Sequence, residues 1–200
     1  MKKIVCLIIC LFTAAVQASV IYDNGGPNTQ NGYSVKGSNQ VNDNFNLTGF
    51  FDVKSVGFYF QNYNGITGWN KDIIYNFYAD NGGNVGSLLA SGSGQNLTAT
   101  DSGLAWCCGG GNAWLVKFDL VQTLSLASGT YWLGLTGATG SASSAWWVTA
   151  DSIDGSSMGR VDFAFYIDGQ NASTVSAPAS IALLGLGLAL VGFSRRKKTV

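Results

Sequence analysis

The residues of this chain that could do chemistry are two adjacent cysteines, six tryptophans and eleven aspartates. The chain has no histidine, and every acidic side chain is an aspartate. Without imidazole there is no Ser-His-Asp or Cys-His nucleophile system and no zinc site of the usual histidine-bearing kinds. We therefore expect no catalytic residue, no metal site and no cofactor.

The adjacent cysteines, Cys107 and Cys108, are followed by three glycines. Cα atoms joined by a trans peptide lie about 3.8 Å apart, below the usual disulfide window of roughly 4.4–6.8 Å. A disulfide between such neighbours is strained, but flexible glycines beside it could relax the backbone. The pair predicts a vicinal disulfide that forms a stiff apolar knuckle. Buried free thiols and a bridge to another chain are the alternatives.

Three of the tryptophans, Trp106, Trp146 and Trp147, have glycine, asparagine or serine nearby, as is typical of loops. Most aromatic side chains of a β-sandwich pack in its core. A flat indole at the end of a loop, however, suits a sugar ring, because the apolar face of the sugar stacks on it while nearby amides and carboxylates bind the hydroxyls. We predict a glycan-binding surface that contains these three residues.

The aspartate-rich turns at 80–84 and 151–155 contain the oxygen ligands that calcium prefers. Neither turn matches an EF-hand loop, and Asn-Gly and Asp-Gly pairs are also the ordinary residues of β-turns. Nothing in the spacing of the aspartates selects two carboxylates for glycosidase chemistry. Structural turns are therefore favoured over calcium sites, and a binding role over an enzymatic one.

The balance of 11 basic and 11 acidic side chains is produced by the two ends of the chain. Residues 2–3 and 195–198 supply six of the basic side chains. Between them five basic side chains stand against all eleven aspartates, a net charge of −6. This charge argues against nucleic-acid binding, which needs a basic surface.

Residues 1–18 have the three parts of a secretory signal peptide. Lys2 and Lys3 form the basic part, residues 4–16 are an apolar run of 13 residues, and cleavage by signal peptidase is predicted between Ala18 and Ser19. A retained membrane helix is the weaker alternative, because 13 residues span only about 20 Å of a roughly 30 Å hydrocarbon core. We therefore expect the protein to be exported.

The other end of the chain has a polar spacer at 170–176, an apolar stretch rich in glycine and leucine, and a basic tail at 195–198. The 18 uncharged residues 177–194 would span about 27 Å as a helix, which is enough to cross a membrane when the basic side chains reach its surface. This predicts a transmembrane helix at about 178–194 with its basic tail in the cytoplasm. A buried C-terminal helix is the alternative, which four terminal cations disfavour.

The order of proline motif, apolar stretch and basic cluster resembles the PEP-CTERM sorting domain of Gram-negative bacteria. The usual Pro-Glu-Pro is here Ser176-Ala177-Pro178, so only the second proline matches. The resemblance covers about residues 175–198 and implies that an exosortase cleaves near the motif and sorts the protein from the inner membrane to the cell surface or exopolysaccharide matrix. A plain single-pass anchor is the alternative. The implied sorting residues are Val175, Ser176, Ala177, Pro178, Arg195, Arg196, Lys197 and Lys198.

The middle of the chain, 19–176, has 158 residues, the size of one ordinary domain. Apolar and polar residues alternate with period two in several runs, as at 73–80 and 161–168, and turn residues separate these runs. We expect eight to ten strands and no amphipathic helix. This predicts a single antiparallel β-sandwich or jelly roll over 19–169, and the order of elements also resembles a β-sandwich common in PEP-CTERM proteins.

Together these features predict a secreted, non-enzymatic protein with a structural or adhesive role at the cell surface or in the polysaccharide matrix. The alternatives are a carbohydrate-binding module with a defined glycan ligand and, third, a polysaccharide-active enzyme that uses aspartate pairs. The expected partners are signal peptidase, an exosortase, the inner membrane in transit, and extracellular polysaccharide, but no nucleic acid.

Overall fold

The structure is a computed structural model that describes residues 18–63, 65–109, 111–140, 144–151 and 162–172. The predicted signal peptide before Ala18 and the sorting segment with its transmembrane helix at 178–194 lie outside the described residues. No described helix is long and apolar enough to cross a membrane. The strands are β1 (Ser19–Asp23), β2 (Pro27–Ser34), β3 (Val41–Leu47), β4 (Phe51–Gln61), β5 (Ile74–Asp80), β6 (Val85–Ser93), β7 (Gln95–Ala105), β8 (Asn112–Leu126), β9 (Gly129–Thr136), β10 (Trp146–Ala150) and β11 (Phe165–Asn171), and Ile66–Gly68 forms a short 3₁₀ turn.

The eleven strands of the described residues form two sheets, and every pairing between these strands is antiparallel. The all-β prediction is therefore confirmed, and the arrangement is consistent with a β-sandwich. The smaller sheet has the strand order β3-β9-β5-β6. The larger sheet has seven strands and is organised around β4.

β4 pairs with different strands on its two long edges. One edge pairs along its length with β8, which carries β7 on its far side. The other edge is shared, with β11 along most of its length and β10 at the end of β4. β1 adds to β11 and β2 adds to β10, so the larger sheet divides into two arms on that side.

The core lies between the two sheets and is dominated by phenylalanine. Alternation along β4 turns Phe58 and Phe60 inward, where both are fully buried. Ring contacts join the sheets directly: Phe45 of the smaller sheet meets Phe165 edge-on at 6.5 Å, and Tyr75 stacks on Phe118 at 5.7 Å. Each such buried ring contributes about 1.5–3 kcal/mol through burial alone.

The described chain enters and leaves the domain at one end of the larger sheet. Ser19 pairs with Gly169, and Asn171 pairs with Phe51 at the start of β4. The 11 residues of β4 span roughly 33 Å at about 3.3 Å per residue. Gln61, the last residue of β4, therefore lies at the opposite end of the sheet from the chain ends.

Candidate functional site

The two adjacent tryptophans of β10 point to opposite faces of the larger sheet, because neighbouring side chains of a strand alternate. Trp147 is fully buried, its Nε1 donates to the carbonyl oxygen of Ala164 at 3.1 Å, and its ring packs on Phe163 at 4.8 Å. The structure therefore corrects the prediction for Trp147, whose indole belongs to the core. Trp146 is half-buried on the outer face, where it is the cross-strand partner of Gln61.

Three aromatic side chains gather around Trp146, and we call Tyr63, Trp106 and Trp146 the aromatic patch. The Tyr63 ring meets Trp146 edge-on at 4.9 Å, and the Trp106 ring lies 6.1 Å from Trp146, measured between ring centroids. Tyr63 is 41% exposed and Trp106 is 7% exposed. The patch thus presents Tyr63 and part of Trp146 to solvent, with Trp106 forming its inner wall.

Trp106 is held in place by the loop that connects β7 to β8. The Trp106 amide donates to the carbonyl of Gly111, and the Cys107 amide donates to the carbonyl of Thr29 in β2, both at 3.1 Å. A Cβ atom on Gly32 of β2 would stand 3.4 Å from the Trp106 ring and 3.0 Å from the Trp146 Cβ. Because Gly32 has no side chain, the indoles of Trp106 and Trp146 can pack closely against β2.

Cys107 and Cys108 are joined by a disulfide bond, with their Cα atoms 3.8 Å apart. This is the first of the three alternatives that the sequence leaves open. The Cys107 Sγ lies 3.1 Å from the carbonyl oxygen of Gln30. A disulfide sulfur carries no hydrogen, so this is a close sulfur–oxygen contact and not a hydrogen bond. The exposed disulfide directly follows Trp106 in the loop between β7 and β8.

Gln61 lies beneath this aromatic cover. Its side chain is fully buried, and neither its Nε2 nor its Oε1 has a hydrogen-bond partner in the described part of the chain. The indole Nε1 of Trp106 is also buried without a partner there. Leaving a buried polar group unpaired costs about 1–3 kcal/mol. Two donor nitrogens and one acceptor oxygen therefore lack protein partners at the patch, and buried groups without partners are rare enough to need a specific explanation.

The patch is chemically suited to a neutral ligand with both apolar and hydroxyl surfaces. None of Gln61, Tyr63, Trp106 and Trp146 carries a charge. Aromatic rings offer flat apolar area, while the amide of Gln61 can both donate and accept hydrogen bonds. Tyr63 lies between two asparagines and is followed by a glycine at 65. The criterion used for Trp106, an aromatic residue with glycine, asparagine or serine nearby, therefore also selects Tyr63.

The turn at 80–84 uses its carboxylate internally. Asp80 accepts hydrogen bonds from the Gly83 amide at 3.1–3.2 Å and from the Trp132 indole at 2.8 Å. These bonds, led by the one from Gly83, lower the pKa of Asp80 below its ordinary value. Residues 152–155 of the other turn lie outside the described residues. Among the residues that the structure describes, no three His, Cys, Asp or Glu side chains cluster as metal ligands would.

Two buried aspartates tie strands together. Asp43 of β3 accepts from the Asn24 side chain at 3.0 Å and from the Phe163 amide at 2.7 Å. Asp168 of β11 forms an ion pair with Lys117 of β8, and this hydrogen bond raises the pKa of Lys117. Both carboxylates therefore have structural roles in holding the sandwich together.

No family model, no curated protein and no solved structure matches this chain. Of the other residues predicted to be sites, Ala18 and Ser19 are exposed at the start of the described chain. The sorting residues at 175–178 and 195–198 lie outside it. The function therefore has to be argued from the aromatic patch and from the sequence of the two ends.

Proposed function

We propose that this protein is a non-enzymatic adhesive or structural protein of the cell surface or polysaccharide matrix, and that it binds neutral glycan through the aromatic patch. The observation that carries the proposal is the combination of two partly accessible rings, Tyr63 and Trp146, with the buried and unpaired amide of Gln61. A sugar ring presents an apolar face that can stack on these two rings, and its hydroxyl groups can bond the Gln61 amide only when the rings that cover that amide move aside.

The position of the patch supports an adhesive role. It lies at the Gln61 end of the larger sheet, opposite the end where Ser19 and Asn171 lie. A protein tethered through its C-terminal segment would hold the patch away from the tether, roughly 33 Å along β4. The apolar stretch and basic tail at 177–198 support such a tether, which an exosortase would then process.

Affinity electrophoresis in gels that contain neutral polysaccharide tests glycan binding. We expect Tyr63→Ala and Trp146→Ala each to weaken retention about tenfold or more, as for aromatic residues at the centre of an interface. Tyr33→Ala is the matched control, because Tyr33 is 51% exposed but its cross-strand partner is the inward-facing Trp147. Retention that is unchanged in both patch variants would overturn the proposal.

Two further measurements separate the alternatives. A glycan array distinguishes a module with one defined ligand from a general adhesive surface, because only the former binds a single glycan class. Mass analysis of the C-terminus in the native host tests the sorting step. A mature protein that keeps residues 195–200 would overturn processing by an exosortase and favour a plain anchor.

A further inference from the structure

The outer face of β4 continues from the aromatic patch toward the middle of the larger sheet. Alternation places Gln61, Tyr59 and Gly57 on this face, because Phe58 and Phe60 between them point into the core. Gln61 and Gly57 lie roughly 13 Å apart along the strand, at about 3.3 Å per residue. The pairing of β4 with its neighbours has no register shift between these positions, so the alternation holds along the whole stretch.

Two tyrosines lie on this face beyond the patch. Tyr59 is itself a residue of β4, and its partner on β8 is Leu115. Tyr166 of β11 is the partner of Gly57, where an added Cβ would overlap the tyrosine ring. The Tyr166 ring therefore lies directly over the backbone of β4, in the space that a side chain at Gly57 would fill. Both tyrosines are half-buried, so part of each remains accessible to a ligand.

The hydroxyl groups of Tyr59 and Tyr166 form no hydrogen bond with any residue that the structure describes. Burial raises the pKa of both hydroxyls, and the carboxylate of Asp23 on β1 adds to this effect. Both hydroxyls therefore stay protonated at neutral pH, and each can donate one hydrogen bond and accept others. Each tyrosine thus offers a ligand apolar ring area together with a polar atom, as the patch does.

The row of side chains that crosses β4 at Tyr59 carries no charge. Its partner Leu115 on β8 is half-buried, and Thr100 on β7, the partner of Leu115, is exposed. On the other side of Tyr59 lies Ala164 of the segment before β11, whose carbonyl oxygen accepts the Tyr59 amide at 3.0 Å. This row therefore joins the patch to the second tyrosine through neutral and accessible surface.

Charged side chains begin in the next row and favour a neutral ligand over an anionic one. Tyr166 has Asp23 as its partner on β1, and Gly57 has Lys117 as its partner on β8. Lys117 already forms an ion pair with Asp168. These three charged groups leave a net negative charge, which repels a carboxylated or sulfated chain, while the Asp23 carboxylate can accept hydrogen bonds from hydroxyl groups.

We propose that the aromatic patch, Tyr59 and Tyr166 form one track, which binds a neutral polysaccharide chain in extended form along β4. The inference rests on the proposed function and deepens it, because the ligand becomes the interior of a long chain instead of a single terminal sugar. The track extends over roughly 13 Å between Gln61 and Gly57, so more than one sugar ring is needed to contact all of it. One ring stacks at the patch, and the following rings lie over the two tyrosines.

Calorimetric titration with oligosaccharides of increasing length tests the track. The full-length chain is kept in a mild detergent without a sugar headgroup. The probes are the disaccharide and the hexasaccharide of whichever of dextran, mannan and laminarin retains the wild type most strongly in affinity gels. We expect the wild type to bind the hexasaccharide about tenfold or more tightly than the disaccharide, because the longer ligand also contacts Tyr59 and Tyr166. Tyr59→Ala should remove most of this gain, whereas Trp146→Ala should weaken both ligands.

The substitutions Tyr59→Phe and Tyr166→Phe keep both rings and remove only a hydroxyl, so they test the track without disturbing the packing. Each should weaken hexasaccharide binding about 2- to 10-fold, the range expected for one hydrogen bond. Tyr33→Phe is the matched control, because Tyr33 is 51% exposed and its cross-strand partner is the inward-facing Trp147. This control should bind both ligands like the wild type.

The outcomes separate this inference from the proposed function. Equal affinity of the wild type for the two oligosaccharides would overturn the track, as would a Tyr59→Ala variant that keeps the full gain or loses both ligands equally. The proposed function would still stand in those cases if Trp146→Ala weakens retention on the gels. A wild-type chain that none of the three gels retains would instead refute the proposed function, and the track with it.

Discussion

The substitution Gln61→Met tests the most unusual feature of the candidate site, a buried amide without hydrogen bonds. Methionine has nearly the length and flexibility of glutamine, and volume-conserving changes of this kind usually cost less than about 1.5 kcal/mol. Removing the two unpaired atoms, Nε2 and Oε1, relieves a desolvation penalty of about 1–3 kcal/mol for each group. We therefore expect the variant to be more stable than the wild type by about 1–3 kcal/mol.

Urea unfolding followed by tryptophan fluorescence measures this free energy, and a thermal scan checks it. For a domain of this size, a gain of 1 kcal/mol raises the Tm by about 2–4 °C, so a gain of 1–3 kcal/mol should raise it by about 2–12 °C. Gln95→Met is the control, because Gln95 is exposed and its replacement should change stability by less than about 0.5 kcal/mol.

The same variant has a second readout in glycan binding. If the Gln61 amide binds sugar hydroxyls, Gln61→Met will gain stability and lose retention on polysaccharide gels, which is the trade-off expected of a residue kept for binding. A loss of stability greater than about 1 kcal/mol would show that the amide is hydrogen-bonded in the folded protein. The claim that the Gln61 amide is unpaired and can bind sugar hydroxyls would then be refuted.

Three further substitutions test the fold around the site. Lys117→Met leaves Asp168 buried without its cation and should cost about 1–2 kcal/mol in urea unfolding, less than for a fully buried pair because the lysine is 44% exposed. Since the pKa of Lys117 is raised, the ion pair should stabilise the wild type fully below the ordinary lysine pKa and lose its effect as pH rises through the raised value. A Lys117→Met variant as stable as the wild type at neutral pH would contradict the stabilising role of the ion pair. Asp80→Asn should make the Tm fall less steeply as the solution is acidified. The lowered pKa of the Asp80 carboxyl means that its contribution to stability is present above pH 3.8 and is lost as pH falls through the lowered value. If the Tm of the variant and of the wild type fall equally in acid, the turn hydrogen bonds do not cause the loss. Gly57→Ala places a Cβ 2.1 Å from the Tyr166 ring and should lower the free energy of unfolding by about 1–3 kcal/mol, as measured by thermal unfolding. An unchanged Tm would show that the Tyr166 ring moves aside without cost.

The strands were predictable from the sequence because half-buried antiparallel strands alternate. At 73–80 the expected pattern is largely present: Ile73, Tyr75 and Phe77 are buried and Ile74 is exposed, although Asn76 is also buried. The same rule explains the error at β10. The neighbours of Trp146 and Trp147 in the sequence are typical of a loop, whereas in a strand two adjacent side chains point to opposite faces. Alternation alone could have limited the glycan-binding prediction to one of the two.

The buried amide at the site could not have been predicted. Glutamine is mostly a surface residue, and nothing near Gln61 in the sequence indicates burial. Its cross-strand partner is Trp146, 85 positions away, whose ring lies 6.1 Å from that of Trp106, so its surroundings are built from distant parts of the chain. The open edge of β6 is equally non-local, because β7, which begins one residue after β6 ends, pairs with β8 in the other sheet.

The pairing of β1 with β11 affects the order in which the molecule can be completed. β1 is the first strand and β11 the last, and among the described strands β1 pairs with no other. Ser19 and Gly169 are partners across 150 positions, and such distant contacts form slowly. During synthesis, β1 has no partner strand until nearly all of the described domain has emerged. A chain truncated before β11 would leave both β1 and most of one edge of β4 unpaired. Such exposed strand edges are the kind of surface that chaperones and proteases act on.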